Sequence, residues 1–296
     1  MLNKNIDKLK NLLDNLYNTY DHSFLETDPL SIVKEYKNER DREAAGFITA
    51  MLSLGNVKAI KKTVRSVLSV MGKSPYHFLS DYYPEKEPDK FRNISYRFYK
   101  PEDISLLVSW TAQMIRKNGS IKDFFLVRFN EKDPDIGHSL SGFVKRIRAL
   151  DAAPFYKHAP PAGKGAGHFL TDPEKKSACK RMNMFLRWMV RKDHLDFGLW
   201  DEIPASMLII PVDTHISKVS RYLGLTSLSS PGWNMAVDIT NSLKIFSPED
   251  PVKYDFALCR VGMLNKCTNG KDPDICSLCP IKDICVVREN FTKTNT

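Results

Sequence analysis

Apolar residues at helical spacing run through most of this chain, and that spacing limits the fold more than any other feature. Leu9, Leu12, Leu13, Leu16, Tyr17 and Tyr20 recur at three- and four-residue steps and make one stripe. Asp28-Pro29 reads as a helix entry, with Asp28 as cap and Pro29 in the first helical position. Glu39 to Leu54 predicts a polar start running into a buried helix, which Gly55-Asn56 stops. Val57 to Met71, Pro101 to Lys117, Ile121 to Asn130 and Lys175 to Lys192 predict further helices. Few windows alternate as strands do, so an all-α fold is expected. Asp151 to Pro173 stands apart. Its Pro154, Pro160, Pro161, Gly163, Gly165 and Gly167 rule out a long regular element, and a loop of that length in a compact protein is usually functional or mobile.

The chain has 296 residues, enough for one large domain or two smaller ones. Its formal net charge of +9 favours a polyanionic partner such as nucleic acid, although many basic proteins bind none. The longest nearly unbroken apolar run, Ala44 to Leu54, falls far short of the roughly 20 residues a membrane helix needs. Asn3, Lys4, Asn5 and Asp7 leave no apolar signal-peptide core at the start. A cytoplasmic protein without membrane contact is expected.

Three constellations could carry chemistry. Cys267, Cys276, Cys279 and Cys285 follow one another as Cys-x8-Cys-x2-Cys-x5-Cys, and such crowding in a reducing compartment favours a metal or cluster site over disulfides. Four thiolates can hold a [4Fe–4S] cluster or a tetrahedral zinc, and spacing alone does not choose between them. Cys179 and Cys259 lie outside the quartet and are expected to pack in the core. The second constellation is Ile209-Ile210-Pro211-Val212-Asp213-Thr214-His215. Asp213 stands at the mouth of a helix, either as a simple cap or as a carboxylate held there for catalysis. The third is Ser177-Ala178-Cys179-Lys180-Arg181, where a lysine at a helix start could form a Schiff base with an aldehyde carbon or merely contact phosphate. Lys180, Arg187 and Arg191 fall on the side of that helix opposite its apolar stripe.

Val212-Asp213-Thr214-His215, then Leu223-Gly224-Leu225, then the four-cysteine tail resemble endonuclease III and its relatives, the helix-hairpin-helix DNA glycosylases. The resemblance is closer still to a bacterial branch of that superfamily marked by Ser-Ala-Cys-Lys-Arg, Phe185 to Arg191 and Ile-Ile-Pro-x-Asp-Thr-His. It implies two helical lobes flanking a cleft: a central bundle over residues 41–205, and a terminal lobe of 1–40 plus 206–296 with a C-terminal four-cysteine metal-cluster loop. The resemblance further implies base-excision repair by a monomer that flips a damaged nucleotide into the cleft. Asp213 takes the place of the family's catalytic aspartate and Lys180 that of its lyase lysine. A [4Fe–4S] cluster is the implied cofactor, with zinc as alternative, because the first cysteine interval is two residues longer than the family's.

The chain departs from the family at the glycine hairpin that grips DNA phosphates, which is missing. Lys164, Gly165 and Gly167 are the candidate substitute. Arg181, Arg187, Lys266 and Lys271 are the other candidate DNA contacts. The longer interval between Lys180 and Asp213 requires His194 to Ser206 to loop out. A nucleic-acid-binding member without catalysis, and a glycosylase without lyase activity, stay open as alternatives.

Overall fold

A computed structural model describes residues 6–264, 267 and 272–287. The helices in chain order are α1 (Ile6–Thr19), α2 (Leu30–Val33), α3 (Glu39–Leu52), α4 (Val57–Met71), α5 (Pro75–Asp81), α6 (Pro101–Asn118), α7 (Ile121–Leu126), α8 (Gly137–Arg148), α9 (Lys180–Val190), α10 (Thr214–Tyr222), α11 (Trp233–Lys244), α12 (Asp255–Leu264) and α13 (Pro273–Ser277). The described residues contain no β-strand, only two isolated bridges, so the fold is all-α. No helix among them is long and apolar enough to cross a membrane.

Local signals place most of these helices. Asn38 and Asn56 each accept two backbone N–H groups at the starts of α3 and α4, and Ser74 and Ser120 cap α5 and α7. Each such cap contributes about 1 kcal/mol. The α1 stripe buries Leu9, Leu13 and Leu16 as its spacing predicts. Ile121 to Asn130 yields a shorter helix than predicted, ending at Leu126.

The centre of the molecule is α3. Its residues from Glu43 to Leu52 are all buried, the expected state of a helix apolar on every side. Phe47 meets Phe185 of α9 edge-on at 5.2 Å, and the bare face of Gly46 receives Met189. A second pair, α10 and α12, packs closely together.

The segment 151–172 has no α-helix, only a 3-10 turn at Gly165–His168. It is packed nonetheless. Ala166, Phe169 and Leu170 are buried, and Phe169 stacks on Tyr99 at 4.2 Å. Lys176 and Cys179, at the entry to α9, both adopt left-handed backbone conformations, so that helix starts five residues later than the sequence predicts. Residues 191–213 carry no α-helix, which gives the interval between Lys180 and Asp213 the looped course its length required.

Candidate active site

Asp213 is the N-cap of α10, and one oxygen does that work. Its Oδ1 accepts the N–H groups of His215 and Ile216, each at 2.9 Å. Its Oδ2 has no hydrogen-bond partner among the described residues, and the side chain is half-buried. The cap and the free carboxylate oxygen therefore coexist in one residue.

Lys180 opens α9, whose first turn has no side-chain cap. The positive end of the helix and its unpaired N–H groups thus lie beside the lysine. Its amine forms no ion pair or hydrogen bond among the described residues.

These two residues, distant in sequence, line one pocket of about 610 Å³. That volume suits a small organic ligand. The walls also include Asp28, Leu54, Gly55, Arg181, Met184, Arg187, Trp188, His215, Asp255, Cys259 and Arg260. Two of its arginines are already neutralised: Arg260 pairs with Asp28 at 2.5 Å, and Arg187 pairs with Asp255 at 2.5 Å and Asp196 at 3.2 Å. Burial pushes the Asp255 carboxyl up to about 6 against the pull of Arg187, and Asp213 adds to the rise. Burial likewise pushes the Cys259 thiol up to about 12, helped by Asp213. That thiol stays protonated at neutral pH and is a poor nucleophile; Lys180 offers an amine in the same pocket.

Arg181 has a different environment. Its guanidinium is buried, with no carboxylate among the described residues within ion-pair distance. It donates to the Met51 carbonyl at 2.8 Å, the Tyr99 hydroxyl at 2.7 Å, the His168 carbonyl, and His168 Nδ1 at 3.1 Å. Arginine can only donate, so His168 Nδ1 is the acceptor and its ring proton sits on Nε2. Burial, reinforced by Arg181, holds the His168 imidazole down to about 4. Arg181 ties α9 to the end of α3 and to the long loop, and in that role its donors are occupied.

Several sequence expectations need correction. Arg187 was expected to face DNA; it is buried and bound to two carboxylates, so it has no charge to spare for phosphate. Gly165 and Gly167 were expected to present free backbone. Gly167 is buried, and a Cβ there would sit 2.1 Å from the Pro161 carbonyl oxygen, so glycine serves close packing. Gly165 lies against the Asp103 carboxylate, a poor neighbour for phosphate. Lys164 is exposed and outside the pocket lining. Lys266 and Lys271 lie outside the described residues. Cys179 is buried in the core as expected, whereas Cys259 is in the pocket wall.

Cys267, Cys276, Cys279 and Cys285 all line a second, small cavity of about 30 Å³ between α10 and α13, and none is in a disulfide. Lys218 of α10 donates to the Cys267 carbonyl at 3.0 Å. The donor chemistry fits a four-thiolate centre. The side chains do not close to ligand distances, for no group of three His, Cys, Asp or Glu among the described residues stands ready to hold a metal.

With this geometry in view, comparison with known proteins places the chain. It belongs to the DUF2400 family. Residues 28–264 match the model described as a protein of unknown function (DUF2400). The matched region contains both Lys180 and Asp213 and ends before the first cysteine of the quartet. No curated protein and no solved structure matches the chain.

Sequence reasoning missed Asp255, His168 and Tyr99 as parts of this region. All three reach the site through tertiary contacts that no local spacing signals.

Proposed function

We propose that this chain is a DNA base-excision repair glycosylase of the helix-hairpin-helix type with abasic-site lyase chemistry. One observation carries the reading: Lys180 and the free oxygen of Asp213 line the same pocket, and neither is engaged elsewhere among the described residues. The pocket is the cleft between a central lobe of residues 41–205 and a terminal lobe of 1–40 and 206–296. A damaged nucleotide turned out of the duplex enters it. The nitrogen lone pair of the Lys180 amine attacks the sugar C1′ as the bond from C1′ to the base nitrogen breaks, and the base leaves with that electron pair and takes up a proton. The amine then loses its proton, the sugar ring opens, and a C=N bond joins enzyme and sugar. Asp213 stabilises the positive charge that develops on the sugar as the base departs.

Cys267, Cys276, Cys279 and Cys285 would hold a [4Fe–4S] cluster, with zinc the alternative. Such a centre supplies structural cross-linking of the tail. The net charge of +9 supports DNA as partner; a monomer in the cytoplasm completes the proposal.

Incubation with abasic or damaged duplex plus borohydride tests the reading, because hydride reduces the C=N bond to a stable amine. A covalent complex is expected with the natural chain and none with Lys180→Ala. An adduct that persists in the variant removes Lys180 from this role. A second reading, a nucleic-acid-binding member without catalysis, draws on the packed state of Gly165 and Gly167, which leaves no glycine hairpin to seat the duplex. It predicts salt-sensitive binding with neither base release nor adduct.

A further inference from the structure

A short turn beside the pocket has no role in the chemistry above. Tyr96 and Tyr99 exchange backbone hydrogen bonds of 3.0 and 2.8 Å, closing a tight turn over Arg97 and Phe98. Arg97 is held at a φ of 55°, a left-handed conformation that is strained for a residue with a side chain of its size. Such strain persists only where the surroundings enforce it.

A lone exposed phenylalanine needs no explanation, but Phe98 is not isolated. It is 51% exposed, and behind it Tyr99 lies at 4.5 Å and His168 edge-on at 5.0 Å. Tyr99 in turn stacks on the buried Phe169, and Arg181 fastens both Tyr99 and His168 to α9. Phe98 is thus the outer ring of a braced aromatic cluster.

The turn also adjoins the pocket wall. The Tyr96 hydroxyl donates to the Leu54 carbonyl at 2.7 Å. The Arg97 guanidinium covers Gly55, where a Cβ would come within 2.2 Å of Nη1. Leu54 and Gly55 both line the Lys180–Asp213 pocket. Arg97 is exposed and makes no ion pair or hydrogen bond among the described residues.

We infer that the Arg97–Phe98 turn is a nucleobase-stacking surface. Phe98 stacks on the base left without a neighbour when an adjacent nucleotide enters the pocket, and Arg97 meets a phosphate of the same DNA. The inference rests on the DNA reading above. Its physical basis is that removing a nucleotide from a duplex exposes a π face, and an aromatic ring covers such a face whatever the base. A cation without a counter-ion beside that ring complements the backbone charge.

The full chain carrying Lys180→Ala, which prevents turnover, is titrated into a duplex holding a tetrahydrofuran abasic-site analogue with 2-aminopurine as the adjacent base. Binding is expected to change the 2-aminopurine fluorescence. Adding Phe98→Ala is expected to weaken binding roughly tenfold and remove that change, since stacking contributes about 1–3 kcal/mol per base. Phe98→Leu, which keeps the packing behind the ring and lacks a π face, is expected to behave like Phe98→Ala, while Phe98→Tyr retains both signals. Arg97→Gly should lower the slope of log affinity against log salt by roughly one phosphate contact. Unchanged affinity and fluorescence in both Phe98→Ala and Phe98→Leu overturn the assignment. If the natural chain still forms the borohydride adduct in that case, the DNA reading stands and the turn alone is misassigned. If the natural chain binds no DNA, both fall together.

Discussion

The two ends of α9 carry the same kinds of residue and put them to opposite uses. At its C-terminal end, Arg187 and Arg191 are buried among carboxylates. Arg187 meets Asp196 and Asp255, and Arg191 meets Asp193, Asp196 and Asp250. At its N-terminal end, Lys180 and Arg181 have no carboxylate partner among the described residues. A buried cation with matched anions is part of the framework, and removing one member leaves an uncompensated charge. A cation without a counter-ion at a pocket is available to a ligand. The helix thus divides its positive charge: Arg181, Arg187 and Arg191 fasten the fold, and Lys180 alone is left to serve the cavity.

Three measurements can break or sharpen that division. The largest effect belongs to the far end. Arg187→Ala strands Asp255 in the interior and leaves Asp196 with Arg191 alone, and a loss of about 3–5 kcal/mol in urea unfolding is expected. A loss under about 1 kcal/mol would mean the network is hydrated and the contrast false.

A smaller effect comes from His168, beside Arg181. The unfolded chain takes up its proton near pH 6.5, while the folded imidazole resists until about 4. A depressed basic group contributes stability that is present above pH 6.5 and lost as pH falls toward 4. The melting temperature of the natural chain should decline across that window more steeply than that of His168→Gln. Equal slopes would show that folding, with its burial and its Arg181 neighbour, does not depress the ring.

The smallest effect on stability is expected at Lys180. It has no partner to strand, so Lys180→Ala should leave the unfolding free energy in urea within about 0.5 kcal/mol of the natural chain's. A larger loss would place the lysine in the framework with Arg187.

The contrast also marks what the sequence could convey. The start of α4 was legible because Gly55-Asn56 breaks the preceding helix, and Asn56 proves to be the α4 cap. Asp213 was legible as a cap for the same local reason, and the pocket adds the fate of its second oxygen. Arg187 was misread because helical spacing sorts residues by polarity and takes the polar side as the wet one. The carboxylates that make its burial tolerable, Asp196 and Asp255, lie in a loop and in a distant helix, beyond the reach of periodicity. Gly165 and Gly167 were misread in a similar way. Glycine can mean open backbone or close packing, and only the approach of Pro161 decides which. The turn geometry at Arg97–Phe98 was not legible, since its two-residue tip lacks the glycine or asparagine that usually marks a left-handed position.

The helix α10 has a consequence of scale. Its nine residues make a rod about 13 Å long. Asp213 sits at its head, and little more than one turn along, Lys218 holds the backbone of Cys267. The carboxylate and the start of the cysteine tail are therefore dimensioned by one ruler. Loops may lengthen or shorten around them over evolution, but the gap between these two points changes only if the rod itself tilts or slides.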